Sequence, residues 1–439
     1  MSDLRFPLYF DLTGREIRMV GGGAVAERRV RVLLPFGPKI TLISPTLTDA
    51  LGELAGDGKI AWQARTYREG DLEGADLVFA ATDDPACDRA VREECRERGI
   101  PVNLASDQVA CDFFFPAIVR RDPLVIGVTA SGRDHTLTRG TAAVLREQFR
   151  TIRIGTRESR LAMLQSEQAA EHLRKVLPCA DIQLVPMKTT GDKILDRRLD
   201  QIGGKGLFVK ELDQALRDGR SDISVHSLKD LPMEIPEDLP ILGYSRREDP
   251  RDVLVLPKGV SEWDPGKPVG TSSRRRMLQF ECLHPEATFR NVRGNVLTRL
   301  AKLDSGEYGA LILAAAGLKR LGLEDRISYY FPIGEMIPAA GQGILAVQGR
   351  AGERIPALET FFDLDSEAEA AAERSFVAAL GGGCSSPIAA NAKAEWGTIT
   401  IRGLFYKEET GELSTGEMSG PVGEAAGLGR ALADLLREG

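Results

Sequence analysis

Short runs of β-branched residues alternate with stretches of helical period along almost the whole chain, and this alternation dictates the class of fold. REIRMVGG (15–22), KITLIS (39–44), ADLVFAAT (75–82), IPVNLA (100–105) and PLVIGVTAS (123–131) read as strands. Between them, residues 24–37, 85–99 and 139–149 place apolar side chains at helical spacing, the first two ending on glycine. The pattern starts afresh at TIRIGT (151–156), followed by a helix from about Ser159 to Leu177, with no Pro/Gly/Ser-rich linker before it. Strand–helix alternation predicts parallel α/β sheets. At 439 residues the chain is too long for one ordinary domain.

Composition removes several function classes. The formal net charge is -7, so general attraction to nucleic acid or to an anionic membrane is not expected. The longest apolar run, ALILAAAGL at 310–318, is far shorter than the roughly 20 residues a membrane span needs. Residues 1–15 carry charges throughout, without the apolar segment of a signal peptide. The six cysteines are scattered without a C-x-x-C pair, which argues against a zinc site or a disulfide framework and fits a cytoplasmic protein with no metal.

Val20-Gly21-Gly22-Gly23-Ala24-Val25-Ala26 closes a predicted strand and opens a predicted helix, matching G-x-G-x-x-A. Glycines there let the backbone approach a pyrophosphate, which the helix N-terminus stabilises through unpaired N–H groups. The bland alternative is a glycine-rich turn without a ligand. The second strand ends Ile43-Ser44-Pro45, lacking the acidic residue that usually binds ribose hydroxyls. NAD and NADP therefore both stay open.

The second half concentrates arginines near predicted helix starts: Arg157, Arg275, Arg276, Arg293 and Arg299, with Arg320 after a strand and turn. Thr271 and Ser272 are candidate N-caps beside two of them. Guanidinium forks bind carboxylates in bidentate fashion, so such a cluster in an acidic protein suits a substrate rich in carboxylates. Single surface arginines are usually only solvated; six so placed are harder to dismiss. Lys229 and Asp230 end the strand DISVHS, at the edge where α/β proteins build active sites. Cys384 lies in GGGCSSP, where it is either a small buried hydrophobe or an exposed nucleophile.

Two resemblances follow. FPLYFDL, VGGGAVAERRV, FAATDD and FFFPAIVRRDPLVIGVTASG, over about residues 5–150, resemble precorrin-2 dehydrogenase, the NAD-dependent module of siroheme synthases. This implies oxidation of precorrin-2 to sirohydrochlorin, with iron insertion in some members. It also implies a dinucleotide lined by Gly21, Gly23, Val25, Thr82 and Asp83. The family's acid would fall at Ser106, so Asp107, one residue on, is the expected catalytic residue. The helical extension used for dimerisation is short here, only 139–150, and a homodimer through this module is an expectation. His135 reads as a surface-loop residue.

From Arg153 onward, RIGTRESRLAMLQ, IGGKGLFVKEL, DISVHSLKDLP, REDPRD, VGTSSRRR, RNVRGNVLTRL, AAGLKRLGL, PAAGQG and GGGCSSPIAA resemble hydroxymethylbilane synthase, also called porphobilinogen deaminase. The resemblance implies a covalent dipyrromethane cofactor on Cys384 and addition of four porphobilinogens with loss of ammonia. Asp230 and Lys229 would be catalytic, Asp230 stabilising the azafulvenium cation left when ammonia departs. Arg157, Arg275, Arg276, Arg293, Arg299 and Arg320 would meet acetate and propionate groups. Ser159, Gln165, Lys205 and Phe208 would line the cleft, the last two on a mobile loop.

The expected division is a Rossmann-like domain (1–112), a truncated dimerisation segment (113–150), two periplasmic-binding-protein-like lobes (151–246 with 343–360, and 247–342) and a small cofactor-carrying domain (361–439). Two accounts of the first 150 residues stand side by side: an active dehydrogenase, or a non-catalytic dinucleotide-binding or assembly module. A two-lobed binding protein for an anionic ligand is the outside alternative, disfavoured by Cys384 and Asp230.

Overall fold

The computed structural model describes residues 6–189, 209–382 and 387–438. The chain divides into two compact units, Met1–Arg150 and Thr151–Gly439. Cys384, Lys205 and Phe208 lie outside the described residues.

In the first unit, β1 (Glu16–Val20), β2 (Lys39–Ile43), β3 (Ala61–Gln63), β4 (Leu77–Ala80) and β5 (Val102–Leu104) form a parallel sheet ordered β3-β2-β1-β4-β5. The order reverses at β1, so a crevice opens beyond the carboxyl ends of β1 and its neighbours. Helix α1 (Ala24–Leu33) buries Ala26, Val30 and Leu33 against Ile17, Met19, Leu42 and Phe79 on one face. Helices α2 (Asp49–Gly56) and α3 (Pro85–Arg98) follow β2 and β4. Asp84 caps α3, its carboxylate accepting from Ala86 N at 2.8 Å, with Pro85 in the first turn. A hairpin of β6 (Ala117–Arg121) and β7 (Leu124–Val128) precedes α4 (His135–Gln148). That helix starts four residues earlier than the apolar period suggested, because Asp134 caps it by accepting from Leu137 N at 2.7 Å. His135 accordingly stands in the first helical turn, not in a loop.

The second unit carries three sheets. The first joins β8 (Thr151–Arg157), β9 (Asp181–Met187), β10 (Ile223–Ser227), β11 (Ile241–Tyr244) and, returning late in the chain, β17 (Leu345–Gly349), in the order β11-β17-β10-β8-β9. Helix α5 (Arg160–Val176) packs Ala169, Ala170 and Leu173 on its core, and α6 (Lys210–Arg217) leads into β10. The second sheet is built from β12 (Asp252–Val255), β13 (Val269–Gly270), β14 (Phe289–Arg290), β15 (Ala310–Ala314) and β16 (Tyr329–Tyr330), ordered β14-β13-β15-β12-β16. Its helices are α7 (Arg274–Leu283), α8 (Val296–Asp304) and α9 (Ala315–Arg320). The third is an antiparallel sheet of β18 (Ile388–Glu395), β19 (Thr398–Lys407) and β20 (Glu412–Pro421), covered by α10 (Leu364–Ala379) and α11 (Ala425–Glu438).

Two chain crossings link the first two sheets, and one guanidinium ties both to the third. Arg247, on the way from β11 to β12, donates to Gln342 O at 3.0 Å on the returning segment and to Ala392 O of β18 at 3.1 Å. It also pairs with Glu369 at 3.0 Å and Glu373 at 2.8 Å on α10, both almost fully buried. Glu373 further accepts from Gly341 N and Ala392 N, each at 2.6 Å. Removing one partner of a buried pair strands the other charge. Glu373→Ala should therefore cost about 3–5 kcal/mol in denaturant unfolding, and a loss below about 1 kcal/mol would show that this clamp does not hold the three sheets together.

Candidate functional site

The glycine turn at the end of β1 borders a cleft of about 1340 Å³. Gly21 has φ +110, and a Cβ there would stand 2.1 Å from Ala81 O. At Gly22 a Cβ would meet Thr46 O at the same 2.1 Å, whereas at Gly23 it would meet nothing within 4 Å. The first two glycines thus seat the turn against the sheet, and the third leaves the start of α1 open. Gly23 is the N-cap of α1 and makes no side-chain bond, so the first helical N–H groups face the cleft that Gly23, Ala24 and Val25 line. That suits the pyrophosphate of a dinucleotide. Thr82 and Asp83 line it as well, so all five residues expected at the dinucleotide border one cleft. Ser44 ends β2 with its hydroxyl donating to Thr46 O at 2.7 Å, and no carboxylate stands at that strand end.

Asp107 is placed otherwise. Its Oδ1 accepts from Val109 N at 2.9 Å and Ala110 N at 3.2 Å, closing an exposed turn, and it does not line the cleft. Ser106 instead meets the carboxylate of Asp88, a residue not singled out from the sequence. It is only 4% exposed and accepts from Ser106 Oγ at 2.5 Å and Thr82 Oγ1 at 2.6 Å. The signal available was Asp88 in the first turn of α3, but an acidic residue there usually serves the helix dipole.

In the second unit, a cavity of about 100 Å³ collects Gln165, Lys229, Arg276, Arg299, Arg320 and Gln342 from both lobes. Lys229 and Asp230 form a 3-10 turn directly after β10. Burial pushes the Lys229 ammonium down to about 8; neighbouring Asp230 and Asp252 favour its charge and Arg275 and Arg276 oppose it. Its Nζ donates to Gln342 Oε1 at 3.2 Å. Arg299 is pushed down to about 10 by burial, then by Arg276 and Arg293, with Asp230 acting the other way. Burial likewise pushes Arg320 down to about 10, and its Nε has no hydrogen-bond partner among the described residues although Nη2 donates to Gly343 O at 2.7 Å. Several cationic groups thus border one small space in which burial disfavours their charge. A ligand carrying carboxylates would relieve them.

Two expected residues have a different first partner. Arg275 and Arg276 are buried on the strand side of α7 and clasp Asp252, a residue missed in the sequence, at 2.6 and 2.7 Å. These guanidinium groups hold Asp252 well below the usual carboxylate range despite its burial, and Gln342 also donates to it at 2.9 Å. Arg276 still lines the cavity; Arg275 stands behind it. The cap of α7 is Ser273, not Thr271 or Ser272. Thr271 Oγ1 accepts from Ser273 N at 3.2 Å, and Ser272 Oγ donates to Val292 O at 2.9 Å, so both hydroxyls shape the preceding turn. Ser159 is the N-cap of α5, accepting from Ala162 N at 3.3 Å. Gln165 donates to Ser227 Oγ at 2.9 Å. Arg157 and Arg293 are half-buried and outside the cavity lining, and Asp230 is exposed at its edge of β10. Arg320 closes α9 rather than following a loose turn.

Comparison with known proteins adds the following. The model described as porphobilinogen deaminase, dipyromethane cofactor binding domain, matches residues 152–355, and that of the porphobilinogen deaminase C-terminal domain matches 368–438. A model described as putative NAD(P)-binding matches 8–117. The porphobilinogen deaminase of Acetivibrio thermocellus is 52% identical over 288 residues, 66% of this chain and 98% of that protein. That of Alkaliphilus oremlandii is 56% identical over 254 residues, 58% and 86% of the two chains. Among solved structures, SirC, a precorrin-2 dehydrogenase, is similar at 24% identity over 39% of this chain and 78% of its own, with a TM-score of 0.29. The periplasmic aliphatic sulphonate binding protein SsuA from Escherichia coli is similar at 13% identity over 50% and 68%, with a TM-score of 0.27. Neither structural likeness bears on function.

The glycine geometry predicts a separation of effects. Gly23→Val should leave the melting temperature unchanged and weaken dinucleotide binding at least about tenfold, because the second glycine of the motif admits the pyrophosphate. Gly22→Val should instead destabilise the unit by about 1–3 kcal/mol through overpacking. Calorimetric titration with NAD and NADP, beside thermal melts, checks both.

Proposed function

Since the chain belongs to the porphobilinogen deaminase family, we propose that residues 151–439 condense four porphobilinogens head to tail into hydroxymethylbilane, and that residues 1–150 oxidise precorrin-2 to sirohydrochlorin with NAD. The cavity that gathers Lys229, Arg276, Arg299 and Arg320 carries the first half of this proposal. Each porphobilinogen brings an acetate and a propionate, and these cations supply fixed counter-charges without reorganisation. A dipyrromethane cofactor, thioether-linked at Cys384, supplies the primer to which rings are added. Arg299 and Arg320 suit its carboxylates, and Lys229 stands beside the point of chemistry. Loss of ammonia from porphobilinogen leaves a positive charge on the pyrrolylmethyl carbon; Asp230 stabilises it, and its carboxylate passes on the proton released when the pyrrole re-aromatises.

Cys384→Ala should eliminate the covalent adduct in an intact-mass spectrum and with it all product. Asp230→Asn should retain the adduct while kcat falls by about 10²–10³-fold, the loss typical of one electrostatic stabiliser. Turnover at the normal rate in that variant would remove Asp230 from its role.

For the first unit, the open α1 N-terminus behind Gly23 supports dinucleotide binding. A second account, a dinucleotide-binding or assembly module without catalysis, is favoured by Asp107, whose carboxylate is spent on a turn. Incubation with precorrin-2 and NAD or NADP separates them. Appearance of sirohydrochlorin absorbance, lost in Asp107→Ala, supports the enzyme with Asp107 as its acid; dinucleotide binding without oxidation supports the module. The same proposal includes a homodimer through residues 113–150, to which exposed Leu137 and Val144 of α4 would contribute apolar surface; sedimentation equilibrium decides it.

A further inference from the structure

Gln342 stands in PAAGQG, on the segment that returns from the second sheet to β17, and its side chain is used at every polar atom. Its Nε2 donates to Pro250 O at 2.7 Å and to Asp252 Oδ1 at 2.9 Å, and its Oε1 accepts from Lys229 Nζ at 3.2 Å. The residue is 1% exposed yet lines the cationic cavity. A carboxamide has one acceptor and one two-proton donor, so these partners permit a single orientation. Turned over, its oxygen would face a carbonyl and a carboxylate, and its NH₂ would face an ammonium.

The backbone gives it no freedom to move. Gly341 has φ +74 and a Cβ there would meet Leu228 Cγ at 2.6 Å; Gly343 has φ +92 and a Cβ would meet Glu248 O at 2.2 Å. Both positions demand glycine, and both press this segment against its neighbours. The Gln342 carbonyl is in turn gripped by Arg247 at 3.0 Å, itself locked by Glu369 and Glu373.

We propose that Gln342 is a positioning residue for chain growth, fixing the Lys229 ammonium at the cavity of one lobe and tying it to the Asp252–Arg275–Arg276 cluster of the other. This rests on the porphobilinogen reading of that cavity. Lys229 faces Asp230 beside it, Asp252 beyond Gln342, Arg275 and Arg276 of α7, and, around the same cavity, Arg299 and Arg320. In that mostly cationic setting Gln342 Oε1 is a neutral acceptor that favours the charged lysine. Without it the charged form loses a hydrogen bond, and the lysine deprotonates at lower pH. A charged Lys229 holds an incoming carboxylate next to Asp230, so activity that needs it is present below its pKa, near 8, and is lost as pH rises through that value.

The test uses the full chain with its dipyrromethane assembled. Hydroxymethylbilane formation is followed from pH 6.5 to 9.5 for the wild type, Gln342→Met, which keeps the volume without the acceptor, and Gln342→Glu, which keeps an acceptor for the lysine. Lysine Nζ NMR titrations accompany them, with Lys229→Arg to assign the signal. In Gln342→Met the basic limb and the Lys229 titration should both move down by about one pH unit, the size of one lost hydrogen bond to a charged group. In Gln342→Glu both should stand above the wild-type position. A Lys229 titration unchanged in Gln342→Met overturns the proposal, whatever happens to kcat. Should Gln342→Met not fold, a raised titration in Gln342→Glu supports the proposal and an unchanged one overturns it. Absence of product in the wild type would instead reject the porphobilinogen reading, and the NMR titration would still decide the role of Gln342.

Discussion

Asp252 is the point from which the second unit is organised. A carboxylate with no solvent exposure carries a desolvation cost of several kcal/mol, which only close, well-directed partners offset. Arg275 and Arg276 supply them from consecutive positions in the first turn of α7, and Gln342 supplies a third donor from the returning chain. The cluster therefore fixes three things together. It sets how α7 lies on β12, where the segment entering β17 passes, and through Gln342 where Lys229 stands. Arg276 serves twice, clasping Asp252 and forming part of the cavity wall. The charge pattern around the cavity thus depends on a buried ion cluster, of which Arg276 alone among the two arginines also faces the cavity.

A second buried cluster performs the matching task for the third sheet. Arg247 reaches across both crossings to two glutamates of α10, and burial pushes the Glu369 carboxyl up even beside that guanidinium. Its neighbours, Gln342 among them, join this cluster to the first through one residue's backbone and side chain. Cys384 follows α10 by a few residues in the sequence. A cofactor on Cys384, as proposed, would thus follow in sequence a helix that Arg247 joins to the segment carrying Gln342.

Much of this was legible in the chain. The strand–helix alternation predicted the parallel sheet of the first unit, and the glycine turn predicted a cleft at the end of β1, because both signals are local. The two larger sheets of the second unit are instead mixed, β17 and β12 running antiparallel to their neighbours. Lys229, Arg276, Arg299, Arg320 and Gln165, all named from the sequence, line one cavity. What sequence could not convey was the pairing of side chains distant along the chain. Asp252 reads as an ordinary strand-start acid until Arg275, 23 residues on, folds over it. Thr271 and Ser272 have good capping chemistry, yet Ser273 takes the cap position while they brace the turn, a choice made by tertiary contacts at Val292. Asp88 was passed over for the same reason: its meaning comes from Ser106, 18 residues later, at the end of another strand.

The two units also differ in how firmly geometry constrains chemistry. In the second, the cationic groups have lost solvent and face a cavity, so their charges call for an anionic ligand. In the first, the glycine turn specifies a phosphate-sized approach at α1 but leaves the reacting end of any dinucleotide unassigned. Asp107 holds its own turn, and Asp88 is shut away behind Ser106 and Thr82. A proton moving between a substrate and Asp88 would have to pass through one of those hydroxyls, and Thr82 is the one that lines the cleft. Dinucleotide binding therefore follows from the fold of this unit, whereas nothing in its glycine motif specifies the group that would move a proton in an oxidation.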